Sequence, residues 1–397
     1  MVNYITGKLG DIIELLYGKS LPENKRVLGQ YPVVGSGGIL GYHNEYLCEG
    51  PGIIIGRKGS IGTVQYVKDN FFPIDTVFYV KPKKASMPMK YIYYLLTQLN
   101  LKVLNTDAAV PGLNRDVALL QNINYLDEEI EQNKIVSFLS NYDDLIENNN
   151  KRIKILEEMA QKIYKEWFVD FKYPGHETAT FKDTELGKIP SDWKVESIGN
   201  LISNIESGSR PKGGINPLEK DIPSIGAENI LGLGKYEYTK EKYISYDFFS
   251  KMKKGKVQNL DVLLYKDGAQ LGRKTIFGEN FPHSVCCVNE HVFILRTNEH
   301  ISPYYLYFTL DTKENTEKIK QLNTNAAQPG INQEQIKGLK IIQPRKDVIN
   351  SFDKIMTPIV SQIFKLCIKN KNLKQTRDIL LPRLMSGEIN VDELEIQ

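Results

Sequence analysis

The feature that most constrains the fold of this 397-residue sequence is a nine-residue segment that occurs twice. Residues 106–114 read TDAAVPGLN and residues 324–332 read TNAAQPGIN, so six of the nine positions are identical at an offset of 218. A second similarity lies upstream in the same order, between residues 73–80 and residues 288–295, at an offset of 215. Repetition on this scale predicts two structural units built on one plan.

Each copy also contains the same succession of patterns. The first part is rich in glycine, proline and short apolar runs, as at residues 52–55 (GIII) and 261–265 (DVLLY), which predicts short strands joined by tight turns. The second part has apolar residues seven positions apart, which predicts a long helix. The seven-spaced seam positions are Ile135, Tyr142, Asn149, Leu156 and Ile163 in the first copy and Phe352, Ile359, Leu366, Leu373 and Leu380 in the second.

Two sustained heptad segments in one chain favour a coiled coil between them. The alternative is two amphipathic helices, each lying on its own domain. A helix over residues 135–168 would be about 51 Å long. That is longer than the diameter of one of the predicted globules, which favours the coiled coil. Asn149 on the seam would cost stability but could fix the register. Pro358 is expected to kink the second helix or delay its start.

These patterns predict an α+β fold with two pseudo-repeated α/β globules and two long helices. The predicted segments are a globule at 1–128, a long helix at 129–170, a linker at 171–190, a second globule at 191–345 and a second long helix at 346–390.

Composition excludes several classes of protein. No apolar run approaches the ~18 residues that a membrane-spanning helix needs, and the N-terminus lacks a secretion signal. Four cysteines at irregular positions do not form a disulfide framework. We therefore expect a cytoplasmic protein. A net charge of +3 permits nucleic-acid binding but is too small to argue for it.

Known nucleotide-binding motifs are approached but not completed. Residues 18–20 (GKS) end like a phosphate-binding loop, yet Ile13 stands where that loop requires its first glycine. Residues 35–41 miss the Gly-x-Gly-x-x-Gly pattern because Leu40 occupies the third glycine position. We find no acid–base or nucleophile constellation either, and predict a protein that is not an enzyme.

One group of residues could in principle bind a metal ion: His283, Cys286, Cys287 and His291. Adjacent cysteines in a strand point to opposite faces, and a second ligand pair is missing. Buried strand thiols beside two ordinary histidines are the better interpretation, so we predict no metal site.

Basic and polar residues in glycine-containing loops are the candidates for DNA contact. Residues 57–62 (RKGSIG) follow a predicted strand in the first copy, and residues 266–274 (KDGAQLGRK) follow the matching strand in the second. Glycines let a backbone approach a partner closely, while Arg and Gln can make bidentate contacts with bases. For any single residue, a solvated surface turn is the alternative. The candidates are His43, Arg57, Lys58, Ser60, Arg210, Lys212, Gln270, Arg273 and Lys274.

Three further features make the pattern recognisable: the two TxAAxPG(L/I)N segments, residues 131–135 (EQNKI) opening the first helix, and residues 185–193 (ELGKIPSDW) before the second globule. With the duplicated globule–helix plan, they make the chain resemble the specificity subunit of type I restriction–modification systems over nearly its whole length. The start of the second helix at residues 343–347 (QPRKD) departs from that family's pattern.

The resemblance implies two target-recognition domains, each reading one half of a bipartite, asymmetric site on double-stranded DNA. It implies that the two helices form an antiparallel coiled coil that sets the spacing. Two methyltransferase subunits carrying S-adenosylmethionine would methylate adenine, and motor-nuclease subunits would cut unmodified DNA; this chain would bind no cofactor itself. The rival hypothesis is a protein-interaction scaffold of two globules on a coiled coil, without a nucleic-acid role.

Overall fold

The structure, a computed structural model, describes residues 4–104, 112–214, 218, 220–323 and 330–390. These residues fall into two compact units, Met1–Leu145 with Leu373–Gln397, and Ile146–Asn372. Most of the repeated nine-residue segment, residues 106–111 and 324–329, lies outside the described residues.

The first unit is built from short strands and a few helices. Its strands are β1 (Tyr4–Lys8), β2 (Ile13–Tyr17), β3 (Tyr31–Gly35), β4 (Gly38–His43), β5 (Gly52–Gly56), β6 (Val64–Val67), β7 (Phe72–Pro73), β8 (Val77–Pro82) and β9 (Asn122–Leu126). Its helices are α1 (Leu9–Ile12), α2 (Met89–Gln98), α3 (Arg115–Leu119) and the first part of α4 (Glu129–Tyr164). The strands pair in the orders β2-β8-β5-β6, β4-β3-β7 and β1-β9.

The second unit begins with the rest of α4, which a π-helical turn at Lys165–Val169 extends. Its strands are β10 (Phe181–Thr184), β11 (Gly187–Pro190), β12 (Lys194–Ser197), β13 (Ile202–Ser207), β14 (Ile222–Ile225), β15 (Lys242–Ile244), β16 (Val262–Tyr265), β17 (Lys274–Ile276), β18 (Cys287–Val288), β19 (Val292–Thr297) and β20 (Lys340–Gln343). Its helices are α5 (Ile198–Leu201), α6 (Tyr246–Lys251), α7 (Pro303–Asp311), α8 (Lys313–Gln321), α9 (Gln333–Gly338) and α10 (Lys346–Met385), whose last turns belong to the first unit.

The topology of the second unit repeats that of the first. The order β13-β19-β16-β17 matches β2-β8-β5-β6, β15-β14-β18 matches β4-β3-β7, and β12-β20 matches β1-β9. Even the parallel pairing is repeated, in β3 with β7 and in β14 with β18. The predicted duplication is thus confirmed in strand order. The hairpin β10–β11 occupies the predicted linker and has no counterpart in the part of the first unit that the structure describes.

The end of the repeated segment has a structural role in both units. Asn114 is the N-cap of α3 and accepts hydrogen bonds from the backbone N–H of Asp116 and Val117. Asn332 is the N-cap of α9 and accepts one from Gln335 N–H. Asparagine is a preferred N-cap, which explains why this position is identical in the two copies.

Contacts inside the second unit show the two long helices running antiparallel there. In the second unit, Asn149 hydrogen-bonds Asn370 at 2.8 Å, while the rings of Tyr164 and Phe352 meet with centroids 6.3 Å apart. Residue numbers therefore rise along α4 in the direction in which they fall along α10. In the first unit, Asp143 of α4 pairs with Arg377 of α10 at 2.7 Å. The described residues thus fit an antiparallel coiled coil.

All ten seam positions are at least half-buried. Ile135, Asn149, Phe352 and Leu366 are buried, and the other six are intermediate. The positions three or four residues away, such as Leu139, Ile153 and Ile363, are buried equally deeply, as expected for the second row of a heptad seam.

α10 begins at Lys346 and continues without interruption through Pro358, so its start is not delayed as expected. Proline removes one backbone donor and frees the carbonyl four residues earlier. Pro358 and Lys354 are both exposed, so water can satisfy that carbonyl and the break is avoided. Among the described helices, none combines the length and the apolar character needed to cross a bilayer.

Candidate nucleic-acid interface

The candidate loops of the two units are closed by the same backbone hydrogen bond. In the first unit, Gly62 N–H donates to the carbonyl of Gly56 at 2.8 Å; in the second, Gly272 N–H donates to that of Tyr265 at 2.9 Å. Gly62 has φ +68 and Gly272 has φ +85, in the left-handed region that favours glycine. A Cβ on Gly62 would lie 2.5 Å from the backbone at Leu101, so no other residue fits there.

Arg57 and Lys266 occupy equivalent positions in these loops. Arg57 N–H donates to the carbonyl of Thr76 at 2.9 Å, and Lys266 N–H donates to that of His291 at 3.0 Å. Thr76 and His291 differ by 215 in number, the offset of the upstream repeat.

The carbonyls of the same two residues also have equivalent partners. We call these matching N–H and carbonyl bonds of Arg57 and Lys266 the shared loop frame. Arg57 accepts from Leu113 N–H at 2.9 Å, and Lys266 accepts from Ile331 N–H at 3.0 Å. Leu113 and Ile331 differ by 218, the offset of the nine-residue repeat. Two regions of duplicated sequence therefore hold one residue in the same backbone setting in each unit.

The side chains on this shared frame are different. The Arg57 guanidinium lies 5.1 Å from the centre of the Tyr17 ring. Tyr17 is paired in the sheet with Phe78, whereas the corresponding partner of Phe293 is Ser207. The Lys266 ammonium instead lies 4.9 Å from the centre of the Phe293 ring.

The candidate loop of the second unit lies beside a row of contacting polar side chains. Asp267 Oδ2 lies 2.8 Å from His291 Nδ1, and His291 Nε2 lies 2.8 Å from Arg210 Nη2. Arg210 also forms an ion pair with Glu290 at 2.5 Å. The candidate Arg210 is thus exposed but already paired with two acidic neighbours, one of them through His291.

The candidate Lys274 has hydrogen-bond partners inside the second unit. Its side chain is buried, with 5% of the residue exposed, and its ammonium donates to Leu310 O at 2.9 Å and to Thr316 Oγ1 at 2.6 Å. Burial lowers the pKa of this ammonium, and the carboxylate of Asp311, 3.6 Å away, opposes that shift. Lys274 begins β17 and borders the cleft described below, but its ammonium is engaged inside the unit, which disfavours the predicted contact with DNA.

The candidate His43 is also buried and has a partner inside its own unit. The residue is 7% exposed, its ring packs edge-on against Phe72, and Nδ1 accepts a hydrogen bond from Val27 N–H at 3.0 Å. His43 therefore ties the segment around Val27 to the end of β4.

The other candidates lie at the surface, and four of them line two clefts. Lys58 and Ser60 are exposed in the first unit, and Lys58 lines a cleft of about 450 Å³ with Arg57. Gln270 and Arg273 line a cleft of about 430 Å³ in the second unit. Lys212 is exposed in a turn that follows β13.

Sequence reasoning missed two residues of the first cleft, Tyr17 and Arg115. Arg115 begins α3, and its guanidinium lies 5.8 Å from the centre of the Tyr17 ring. The two are far apart in sequence, and the only available sign was that Arg115 directly follows the duplicated segment.

The residues considered for metal binding have other partners. The ring of His283 contacts the carboxylate of Glu241, and the ring of His291 contacts that of Asp267. Burial raises the pKa of both thiols, that of Cys287 to about 11, so they are poor thiolate ligands. The described part of the chain contains no group of three or more potential metal ligands.

Comparison with known proteins gives one consistent family. A family model described as type I restriction modification DNA specificity domain matches residues 1–158 and 190–379. The chain is 27% identical over 354 residues to the type I restriction enzyme MjaIX specificity subunit of Methanocaldococcus jannaschii, covering 86% of this chain and 78% of the relative. It is 24% identical over 381 residues to the HindI specificity subunit of Haemophilus influenzae, covering 81% and 82%.

The fold agrees with the sequence relatives. The crystal structure of the type I restriction–modification system S subunit from M. genitalium covers 96% of both chains with a TM-score of 0.62 at 17% identity. The family model accounts for both copies of the duplicated plan, and the resemblance noted from the sequence is confirmed. The chain belongs to the family of type I restriction–modification DNA specificity domains.

Proposed function

We propose that this chain is the DNA-reading subunit of a type I restriction–modification complex, with each unit reading one half of a bipartite, asymmetric site. The observation that carries the proposal is the shared loop frame. Arg57 and Lys266 have the same backbone partners, yet their side chains and surroundings differ. One scaffold with unlike side chains is what recognition of two different sequences requires, because base edges are read by side-chain donors and acceptors.

The remaining parts of the activity are assigned to partners. Two methyltransferase subunits, which carry S-adenosylmethionine, would methylate adenine in each half-site, and motor-nuclease subunits would cut unmodified DNA. This chain would perform no covalent step and bind no cofactor. The long helices would set the number of base pairs between the half-sites.

Phosphate contacts are expected to supply the affinity and base contacts the specificity. The surface candidates for these contacts are Arg57, Lys58, Ser60, Arg210, Lys212, Gln270 and Arg273. The scaffold hypothesis is not favoured, since the matching family is defined by DNA specificity.

The test is to co-express the full chain with its cognate methyltransferase subunits and to map methylated adenines in genomic DNA. We expect one motif made of two short defined parts separated by a fixed, undefined gap. Methylation of a single contiguous motif, or none beyond a strain lacking this chain, would contradict the proposal.

A further inference from the structure

The strongest unexplained feature of the first unit is a cationic cleft around one exposed aromatic ring. Arg57, Lys58 and Arg115 line it together with Tyr17, and Asp116 is the one carboxylate among the lining residues that the structure describes. The lining side chains therefore carry a formal charge of +2. Like charges gathered at a surface repel one another, and an arriving anion relieves that repulsion.

Tyr17 holds both guanidinium groups in place. The ring is 50% exposed and packs edge-on against Phe78 with centroids 5.0 Å apart, so its position is fixed by the sheet. Arg57 and Arg115 lie 5.1 and 5.8 Å from its centre. Cation–π attraction at these distances favours ordered guanidinium groups over freely moving ones.

Arg57 is the more rigid of the two arginines. Its backbone N–H and carbonyl are both engaged, by Thr76 and Leu113, and its Nη1 donates to the carbonyl of Asp75 at 2.9 Å. Within the part of the chain that the structure describes, no hydrogen bond is made by the Nε–Nη2 edge of its guanidinium. A guanidinium with a fixed plane and an available edge is suited to bidentate recognition of guanine O6 and N7.

Arg115 has a different setting. It lies at the surface with 42% of its side chain exposed, and its Nε contacts the carboxylate of the next residue, Asp116, at 3.1 Å. An exposed cation at the rim of a cleft is suited to a phosphate oxygen, which requires charge more than the planar geometry that a base edge demands.

This arrangement is specific to the first unit. Lys266 replaces Arg57 on the shared frame, and Ser207 stands where Tyr17 does. Gln333, 218 positions after Arg115, is the first residue of α9 as Arg115 is of α3. The second unit therefore has no corresponding cluster among these three positions.

We propose that Arg57 reads a guanine in the half-site bound by the first unit, and that Arg115 contacts a neighbouring phosphate, both positioned by the ring of Tyr17. The inference rests on the proposed function and makes it residue-specific. It assigns base discrimination and sequence-independent affinity to two different side chains of one cleft.

The experiment uses the full chain in complex with its methyltransferase subunits. Four variants are compared with the wild type: R57K, R57Q, R115A and, as a control, K81A, which removes an exposed charge on β8 of the same unit. Methylated-adenine mapping gives the motif. Competition binding with duplexes carrying each base at each motif position, over a series of salt concentrations, gives discrimination and the salt slope.

R57K keeps the charge but loses the planar fork, and R57Q keeps a donor for the Asp75 carbonyl while losing the charge. The wild type is expected to prefer guanine over the other bases by about 5- to 150-fold at one position of one half-site. Both variants are expected to reduce that preference. The other half-site should be unchanged. R115A should weaken all duplexes by the same factor and reduce the slope of log affinity against log salt by about 0.9, while K81A should do neither.

The outcomes separate the two proposals. A wild-type complex without a bipartite motif would refute the proposed function itself. A bipartite wild-type motif that R57K and R57Q leave unchanged would refute only the reading of guanine by Arg57. Uniform weakening by the Arg57 variants without altered preference, or an altered motif in R115A, would equally overturn the assignment.

Discussion

The side-chain amide of Asn149 donates a hydrogen bond to Oδ1 of Asn370 at 2.8 Å, and neither residue is more than 6% exposed. The amide of Asn370 in turn donates to Oδ1 of Asn150 at 2.9 Å. This polar contact joins α4 and α10 within the second unit, with Ile146, Ile153 and Ile363 buried nearby along the same helices. A satisfied polar pair in an apolar seam favours one register over its neighbours, because any slip leaves two amides buried without partners.

We therefore expect N149A to destabilise the second unit by about 1–3 kcal/mol, since the amide of Asn370 loses a partner while remaining buried. Both tryptophans of the chain, Trp167 and Trp193, are buried in the second unit, so the temperature dependence of tryptophan emission reports on this unit. The measurement is the shift in the midpoint temperature of unfolding, followed by tryptophan emission.

The neighbouring Asn148 is exposed and provides the control, because N148A changes the same helix without touching the seam. The double variant N149L/N370L removes both polar groups and should recover most of the lost stability. Equal midpoints for N149A and N148A would show that the buried amides contribute nothing.

A second prediction concerns Asp143 in the first unit. Its carboxylate accepts hydrogen bonds from Tyr94 at 2.7 Å and Arg377 at 2.7 Å, and lies 2.9 Å from Lys90. Burial by itself would raise the pKa of this carboxyl, but the three donors outweigh it and the pKa lies below its usual value. The charged form is thus favoured by folding.

The sign of the pH dependence follows. A carboxyl with a lower pKa in the folded state stabilises the fold above its unfolded value, about 3.9, and this stabilisation is lost as the pH falls through the folded value. D143N should cost about 2 kcal/mol at pH 7, and the difference from wild type should shrink below pH ~4.

The measurement is thermal unfolding followed by far-UV circular dichroism at several pH values. The exposed neighbour supplies the control as D144N, which should leave the pH profile unchanged. A difference between D143N and wild type that stays constant down to pH ~3 would contradict the linkage.

The sequence predicted the duplicated architecture because both copies keep the residues that define the backbone. The offsets of 215 and 218 recur in the partners of Arg57 and Lys266, and the duplicated Asn caps the same short helix in each copy. The heptads predicted both long helices because most seam positions are apolar along the length of each helix. Such constraints act locally and are visible in sequence.

The side-chain composition of the clefts was not predictable in the same way. Arg273 and Lys274 look alike in a basic run, yet β17 begins at Lys274 and turns its side chain inward. Tyr17 and Arg115 are brought together by the packing of β2 beside a loop and a helix distant in sequence. Such placements depend on tertiary structure, which residue type and spacing do not encode.

The contrast between Arg273 and Lys274 gives a third prediction. K274M removes the buried ammonium that donates hydrogen bonds to Leu310 O and Thr316 Oγ1. It should lower the free energy of unfolding of the second unit by about 1–3 kcal/mol, and its melting midpoint with it. It should leave the salt dependence of DNA binding unchanged in the assembled complex.

R273A is the matched variant, because Arg273 lines the same cleft as Lys274 but is less deeply buried. It should leave the melting midpoint within about 0.5 kcal/mol of wild type and reduce the salt slope of binding. The reverse pattern, with K274M altering the salt slope and R273A altering the melting midpoint, would place the DNA contact at Lys274.

The last prediction tests whether the long helices set the gap between half-sites. The division between the units falls after Leu145 in α4 and after Asn372 in α10. Duplicating residues 139–145 and residues 366–372 adds one heptad to each helix at that division. The pairs Asp143–Arg377 and Asn149–Asn370 each lie within one unit, so both pairings are kept.

Seven residues lengthen a helix by about 10.5 Å, which corresponds to about three base pairs of duplex. The methylated motif should keep both half-sites and gain about three undefined base pairs between them. Inserting the same seven residues in the β10–β11 turn, between Glu185 and Leu186, is the control and should leave the gap unchanged. An unchanged gap in the helix variant, or changed half-site sequences, would show that the helices do not determine the spacing.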